Sequence, residues 1–264
     1  MKIGIWKKTA AGIAMVLGFA MSAQAQTTVD DIVSRGKLKA GMLVDLPPFG
    51  VMSADGKPDG LDADVARLMA KYLGVEVEIV PVTGPNRIPY LLTGKVDVLT
   101  ATFGITPERA KQVAFSIPYS QIEMLVMGPK SLEMSSFADT AGKTVAVPRA
   151  STSDMAMTQY APKEAKLVRM DDDATAAQAF LSGQAQALGT NQLILAQLAK
   201  DNPKLELEKK FTLSRQFQGV TLRRKDTDLL QWTNTFIYYI KNNGELDAIT
   251  QKWLGEPLQD LPTF

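Results

Sequence analysis

The chain has 264 residues, with 29 Lys and Arg against 28 Asp and Glu, and neither cysteine nor histidine. Lack of cysteine excludes disulfides, thiolate metal sites and cysteine nucleophiles, and lack of histidine removes the commonest general base and metal ligand, so most hydrolase triads and zinc sites are unavailable. The charge balance also lacks the basic excess of a nucleic-acid binder, and no cofactor or metal is expected.

Lys2, Lys7 and Lys8 precede an apolar run from Ala10 to Ala20, and Ala23 and Ala25 flank Gln24 as a small-residue cleavage site. This is the pattern of a secretory signal peptide over residues 1–25. The run covers about half of a bilayer's hydrocarbon core, so an uncleaved anchor is the weaker alternative. Without the three leader lysines, 26 basic residues face 28 acidic ones, a net charge near −2. The 239 residues from 26 onward suffice for two domains of roughly 100 residues each.

From Lys37 short apolar runs alternate with amphipathic stretches, the signature of α/β layers. Lys37 to Val44 reads as a strand. Asp62 to Leu73 reads as a helix with Val65, Leu68, Met69, Tyr72 and Leu73 on one face, ended by Gly74. Val75 to Val80 is a strand, Asn86 to Thr93 a short helix closed by Gly94, and Val96 to Thr100 a second apolar strand.

After Lys130 the same alternation restarts. A strand is expected at Thr144 to Val147, a helix from about Ser153, a strand at Lys166 to Met170, a helix at Ala174 to Leu181, and a strand near Ala185 to Leu188. A strand around Gly219 to Arg223 then leads into a helix from Asp226 to Asn242, with Trp232, Phe236, Tyr239 and Ile240 spaced as a buried stripe. Residues 26–128 and 222–264 form one expected lobe and 129–221 the other, joined by hinge segments near 127–131 and 217–221.

Gly104-Ile105-Thr106-Pro107-Glu108-Arg109 follows an apolar strand, and Thr before Pro is a strong helix start. Arg109 then lies in the first turn, where a cation faces the positive end of the helix dipole. An anion held jointly by the guanidinium and free backbone N–H groups would reverse that sign; the alternatives are a solvated arginine or a pair with Glu108. Ala150-Ser151-Thr152-Ser153 is a second candidate anion cradle or simply a helix cap. Arg87, after Asn86, could hold a second carboxylate or lie in solvent. Asp171, Asp172 and Asp173 are three consecutive acids that cannot all point at one ion, so they read as a solvated helix start.

Together these residues resemble the type II periplasmic binding proteins for polar amino acids, the bacterial extracellular solute-binding protein family 3. The carrying segments are DLPPFG at 45–50, GLDADVA at 60–66, NRIPYLLTGKVDV at 86–98, ITPERAKQVAFSIPY at 105–119 and NGELDAITQKWLGE at 243–256. Their order and spacing span nearly all of the chain after the leader.

The resemblance implies a two-lobed α/β fold with each lobe a sheet flanked by helices, two hinge strands, and a small-molecule ligand in the cleft between the lobes. By it, Arg109 clamps the ligand's α-carboxylate, with Phe103 and Gly104 beside it and Ser151 and Thr152 from the other lobe. Thr102 helps hold the α-ammonium, Leu61 flanks the ligand side chain, and Asp45 lies at the cleft mouth. Asn86-Arg87 resembles members that bind glutamate or aspartate, which makes an acidic amino acid the leading ligand.

Two departures stand out. The family's aspartate that pairs the α-ammonium is here Asn191, so another acid compensates or the ligand lacks an ordinary ammonium. Leu46 and Leu61 replace the aromatic residues with which members for basic or aromatic ligands stack on the side chain.

The implied role is the periplasmic, monomeric binding component of an ABC importer, closing on an amino-acid-like carboxylate and handing it to permease subunits. Two alternatives remain. One is an enzyme of the branch that dehydrates prephenate or arogenate, against which Ile194 and Pro47 stand where its acid and lysine belong. The other is a freely diffusing ligand sensor, since no transmembrane or signalling segment follows Phe264.

Overall fold

The alternating apolar runs fold into one mixed sheet with helices on both faces, in a computed structural model that describes residues 27–263. The expected leader lies outside the described residues. In chain order the elements are α1 (Val29–Arg35), β1 (Lys37–Met42), β2 (Asp45–Leu46), β3 (Gly50–Met52), β4 (Pro58–Asp59), α2 (Leu61–Leu73), β5 (Glu76–Pro81), α3 (Arg87–Leu92), β6 (Val98–Leu99), α4 (Pro107–Ala110) and β7 (Val113–Pro129). They continue with β8 (Thr144–Pro148), α5 (Thr152–Tyr160), β9 (Lys166–Met170), α6 (Asp173–Leu181), β10 (Ala187–Asn191), α7 (Gln192–Asp201), β11 (Leu207–Arg223), α8 (Thr227–Asn242) and α9 (Glu245–Leu254).

The sheet order is β5-β1-β6-β11-β7-β10-β8-β9, with a small sheet of β2, β3 and β4 beside it. Each end is parallel: β1 pairs β5 and β6, while β8 pairs β9 and β10. The centre is an antiparallel ribbon of two 17-residue strands, β7 and β11, which belong to both halves. At one end β11 meets β6 through Thr221, and at the other β7 meets β10 through Met124–Met127. The joint expected at 127–131 therefore lies inside the second half, because Met127 already pairs with Leu188. The ribbon crosses between the halves around residues 116–123 and 214–220, where its register shifts twice near Gly219 and leaves Tyr119 as an extra residue opposite the Gln218–Gly219 step. Register shifts of this kind bend and twist a ribbon.

Both halves bury apolar surface in the manner their periodicity predicts. Helix α2 places Leu61, Val65, Ala66, Met69 and Leu73 in the core over β1 and β5, and Gly74 ends it in the left-handed conformation. Tyr72, expected on that face, is instead exposed, as is Tyr239 of α8. The two rings meet edge-on at 5.7 Å on the outside of the α2–α8 contact, while Phe236 and Ile240 of the same stripe are buried and Trp232 is half-buried. At the other end α6 is held by a capping box in which Asp172 accepts from the backbone of Thr175 at 2.7 Å.

Candidate functional site

Two loops face each other where the halves meet, and each contains a non-glycine residue in the left-handed region, Thr102 at φ 48° and Ala150 at φ 59°. Such conformations cost on the order of 1 kcal/mol or more and persist where surrounding contacts enforce them. At Thr102 those contacts are a hydroxyl donated to Asp62 Oδ2 at 2.7 Å and a carbonyl that accepts from Gln216 Nε2 at 3.2 Å. The conformation of Ala150 places its carbonyl where two arginines reach it.

Arg109 is one of them, buried at 5% exposure. Its Nη1 donates to the Gly104 carbonyl at 2.9 Å and to Thr152 Oγ1 at 3.3 Å, and its Nη2 to the Ala150 carbonyl at 2.8 Å, so one guanidinium bridges both loops. Glu108, the alternative partner, binds Lys111 at 2.7 Å instead. Arg87 is also buried rather than solvated, donating to Ala101 O at 3.0 Å and to Ala150 O at 3.4 Å. The two guanidinium carbons lie 4.4 Å and 4.2 Å from the ring centroid of Phe103. The loops approach so closely that a Cβ on Gly84 would meet the Arg149 carbonyl at 2.5 Å, which explains a glycine there.

Burial acts on every charge in this region. It holds Arg109 well below its usual value, with Arg87 adding like-charge repulsion, and brings Arg87 down to about 10 against the opposing pull of Asp173, Asp45 and Asp62. Asp62, fully enclosed, is raised to about 6 by burial despite hydrogen bonds from Tyr119 Oη at 2.6 Å and Thr102 Oγ1. Asp173 is raised to about 7 by burial and then by Asp45, and Asp45 is itself raised, chiefly by burial.

The structure brings Thr102, Phe103, Gly104, Arg109, Thr152 and Arg87 together, with Asp45 at the edge of the cleft accepting from the backbone N–H of Asp173 at 2.9 Å. Ser151 is the N-cap of α5, its Oγ taking the Asp154 N–H at 3.0 Å. Asn191 is the N-cap of α7, its Oδ1 taking the N–H groups of Leu193 and Ile194 at 2.9 and 3.1 Å. Leu61 lies at 1% exposure in the core under α2. Of the three aspartates read as a solvated helix start, Asp172 caps α6, but Asp173 turns toward Asp45 and Arg87. Asp62 and Gln216 were not singled out from the sequence, and Asp173 was read only as part of a solvated helix start; the GLDADVA segment held a hint of Asp62, whereas only the fold brings the other two to the site. Among the described residues no group of three or more acidic side chains is placed to hold a metal ion, and no helix is long and apolar enough to cross a membrane.

Two α/β halves whose facing loops converge on buried arginines have the plan of a two-lobed solute-binding protein. The family described as bacterial extracellular solute-binding proteins, family 3, matches residues 38–256, and the chain belongs to it. It is 29% identical over 246 residues to the L-cystine-binding protein TcyJ of Escherichia coli strain K12, covering 92% of each chain. To the ABC transporter glutamine-binding protein GlnH of Bacillus subtilis strain 168 it is 30% identical, covering 90% of this chain and 89% of the other. A crystal structure of the ancestral amino acid-binding protein AncCDT-1, a precursor of cyclohexadienyl dehydratase, superposes with a TM-score of 0.77 at 35% identity, covering 86% of this chain and 99% of that one.

Proposed function

We propose that this protein is the secreted, periplasmic and monomeric binding component of an ABC importer, which closes two lobes on an amino acid and presents it to permease subunits. The observation that carries the reading is the Arg109 guanidinium, buried and bridging the two loops without a carboxylate partner among the described residues. A ligand carboxylate would replace the carbonyl contacts with charge-assisted bonds and tie both lobes to one group. The crossover segments at 116–123 and 214–220 are the hinge in this reading.

Arg87, buried beside Arg109, supports an acidic amino acid as the preferred ligand. The names of the relatives, which bind cystine and glutamine, keep neutral ligands in the comparison. A dehydratase reading is favoured only by the description of AncCDT-1 as a precursor of such an enzyme. Here Ile194 is 9% exposed within an apolar cluster and carries no acid.

The deciding experiment is a thermal-shift screen of refolded, ligand-stripped protein against amino acids, dicarboxylates and keto acids. Ligand at 100 times its Kd stabilises by about 2.7 kcal/mol, an easily measured shift. L-glutamate or L-aspartate is expected to give the largest shift, with Arg87→Ala reducing it more than that of L-glutamine. No shift with any small carboxylate refutes the binding role, and turnover of prephenate would install the enzyme in its place.

A further inference from the structure

Gln216 lies on β11 in the crossover segment, opposite Ile122 of β7, and belongs to neither facing loop. Its side chain nevertheless reaches the loop that carries Thr102 and Gly104. Only 7% exposed, it donates Nε2 to the Thr102 carbonyl at 3.2 Å and lies flat against Gly104. A Cβ on Gly104 would stand 2.5 Å from Gln216 Cδ and 2.7 Å from its Oε1, so the glycine makes room for this amide.

The amide is thereby oriented, and its Oε1 accepts no hydrogen bond among the described residues. Acceptors around it are already engaged. Both oxygens of Asp62 are taken by Tyr119 and Thr102, Gly104 O by Arg109, Thr102 O by Gln216 itself, and Asn191 Oδ1 by two backbone N–H groups. Asp45 and Asp173 face Arg87 instead. Beside the arginine that would hold a carboxylate, Gln216 Oε1 thus remains as an acceptor with no donor. In an α-amino acid one carbon separates the carboxylate from the ammonium, so a carboxylate on Arg109 leaves the ammonium close to residue 104.

We propose that Gln216 is a ligand-contacting residue, its Oε1 accepting a hydrogen bond from the α-ammonium of the bound amino acid while its Nε2 holds Thr102. This rests on the amino-acid reading above. It makes the hinge strand itself part of the binding site, so ligand contact and the twist of the β7–β11 ribbon are mechanically linked.

Isothermal titration of the full protein and of Gln216→Leu tests the assignment. The ligands are L-glutamate, L-glutamine and L-arginine, each beside the counterpart in which hydrogen replaces the α-ammonium. Loss of a hydrogen bond to a charged group is expected to weaken the amino acids by roughly tenfold while leaving the amine-free counterparts within about twofold. Gln216→Met, an unbranched side chain of similar length without the acceptor, gives the same selective loss and covers the case in which Gln216→Leu folds poorly. Equal losses for both members of each pair show that Gln216 only positions Thr102 and overturn the proposal, as does an unchanged affinity. If the unsubstituted protein binds none of the amino acids, the amino-acid reading falls and this inference with it.

Discussion

Arg87 and Arg109 are alike in most local respects. Both are buried, both lie over Phe103, and both reach the Ala150 carbonyl. They differ in their acids. Asp173, Asp45 and Asp62 all favour the charge on Arg87, whereas the charge on Arg109 is opposed by burial and by Arg87, with no acid in its favour. A buried cation without a counter-ion is costly, and an arriving anion recovers that cost. The asymmetry makes Arg109 the cation prepared for the ligand's α-carboxylate, while at Arg87 a second, side-chain carboxylate would have to compete with the acids already drawing on it.

The largest effect should come from removing the uncompensated member. Arg109→Ala deletes charge-assisted hydrogen bonds worth about 1.5 to 3 kcal/mol each, so affinity for any α-amino acid should fall on the order of 100-fold or more by calorimetric titration. It should also relieve the buried charge, leaving the ligand-free protein as stable as before or more so. A variant that binds normally would show that the balanced and unbalanced arginines have been assigned the wrong way round.

Asp62 supplies the next test, because it is the acid that both supports Arg87 and holds Thr102. Its carboxyl binds a proton more tightly in the folded protein, at about 6, than at its ordinary 3.8. A raised acid of this kind contributes stability at low pH that is lost as pH rises through that window, by up to about 3 kcal/mol. Urea unfolding of Asp62→Asn should lack this component, so the stability of the unsubstituted protein should fall relative to the variant between pH 4 and 7. Parallel pH profiles would mean that Asp62 stays ionised in its enclosed site.

Asp173 carries the same physics into ligand binding. It lies near Asp45 and Arg87 across the site, and burial raises it to about 7. An open cleft would return it toward its ordinary value, so closing takes up a proton and affinity for L-glutamate should rise about tenfold between pH 8 and pH 6. Asp173→Asn should flatten that dependence, and equal pH dependence in both proteins would remove Asp173 from the coupling.

Why Asp173 escaped the sequence is physical. Asp171, Asp172 and Asp173 are indistinguishable as an acidic helix start, and only the packing of α6 near β2 decides that Asp172 caps while Asp173 faces the cleft. Arg109 was legible because Thr106-Pro107 announces a helix and the run around it, 105–119, resembles the family. The parallel strands were legible as short apolar runs between turns, but β7 and the part of β11 before Gly219 were not. Pro118, Ser120 and Gln121 interrupt one, Glu208, Lys209 and Lys210 make the other look like a polar loop, and a strand shared by two lobes keeps no single buried face. The same sharing hid Gln216. Tyr72 and Tyr239 failed in the opposite way: their spacing is that of a core stripe, yet they pair with each other on the outside of it.

Asn191 offers the smallest effect and the sharpest reading of the ligand's polarity. Its Oδ1 is committed to the N–H groups of Leu193 and Ile194, which leaves Nδ2, a donor with no acceptor among the described residues, as the free end of the amide. Aspartate caps helices as well as asparagine does, so Asn191→Asp should change stability by less than about 0.5 kcal/mol while turning that donor into a charged acceptor. Affinity for L-glutamate should rise several-fold if the ammonium lies within reach of residue 191 as well as Gln216, because a neutral partner has become an ionised one. A fall would mean that the ligand presents an acceptor there. The donor character of Asn191 would then join Arg87 and Arg109 in selecting a molecule richer in oxygen than an ordinary amino acid, and amine-free dicarboxylates would become the ligands to measure.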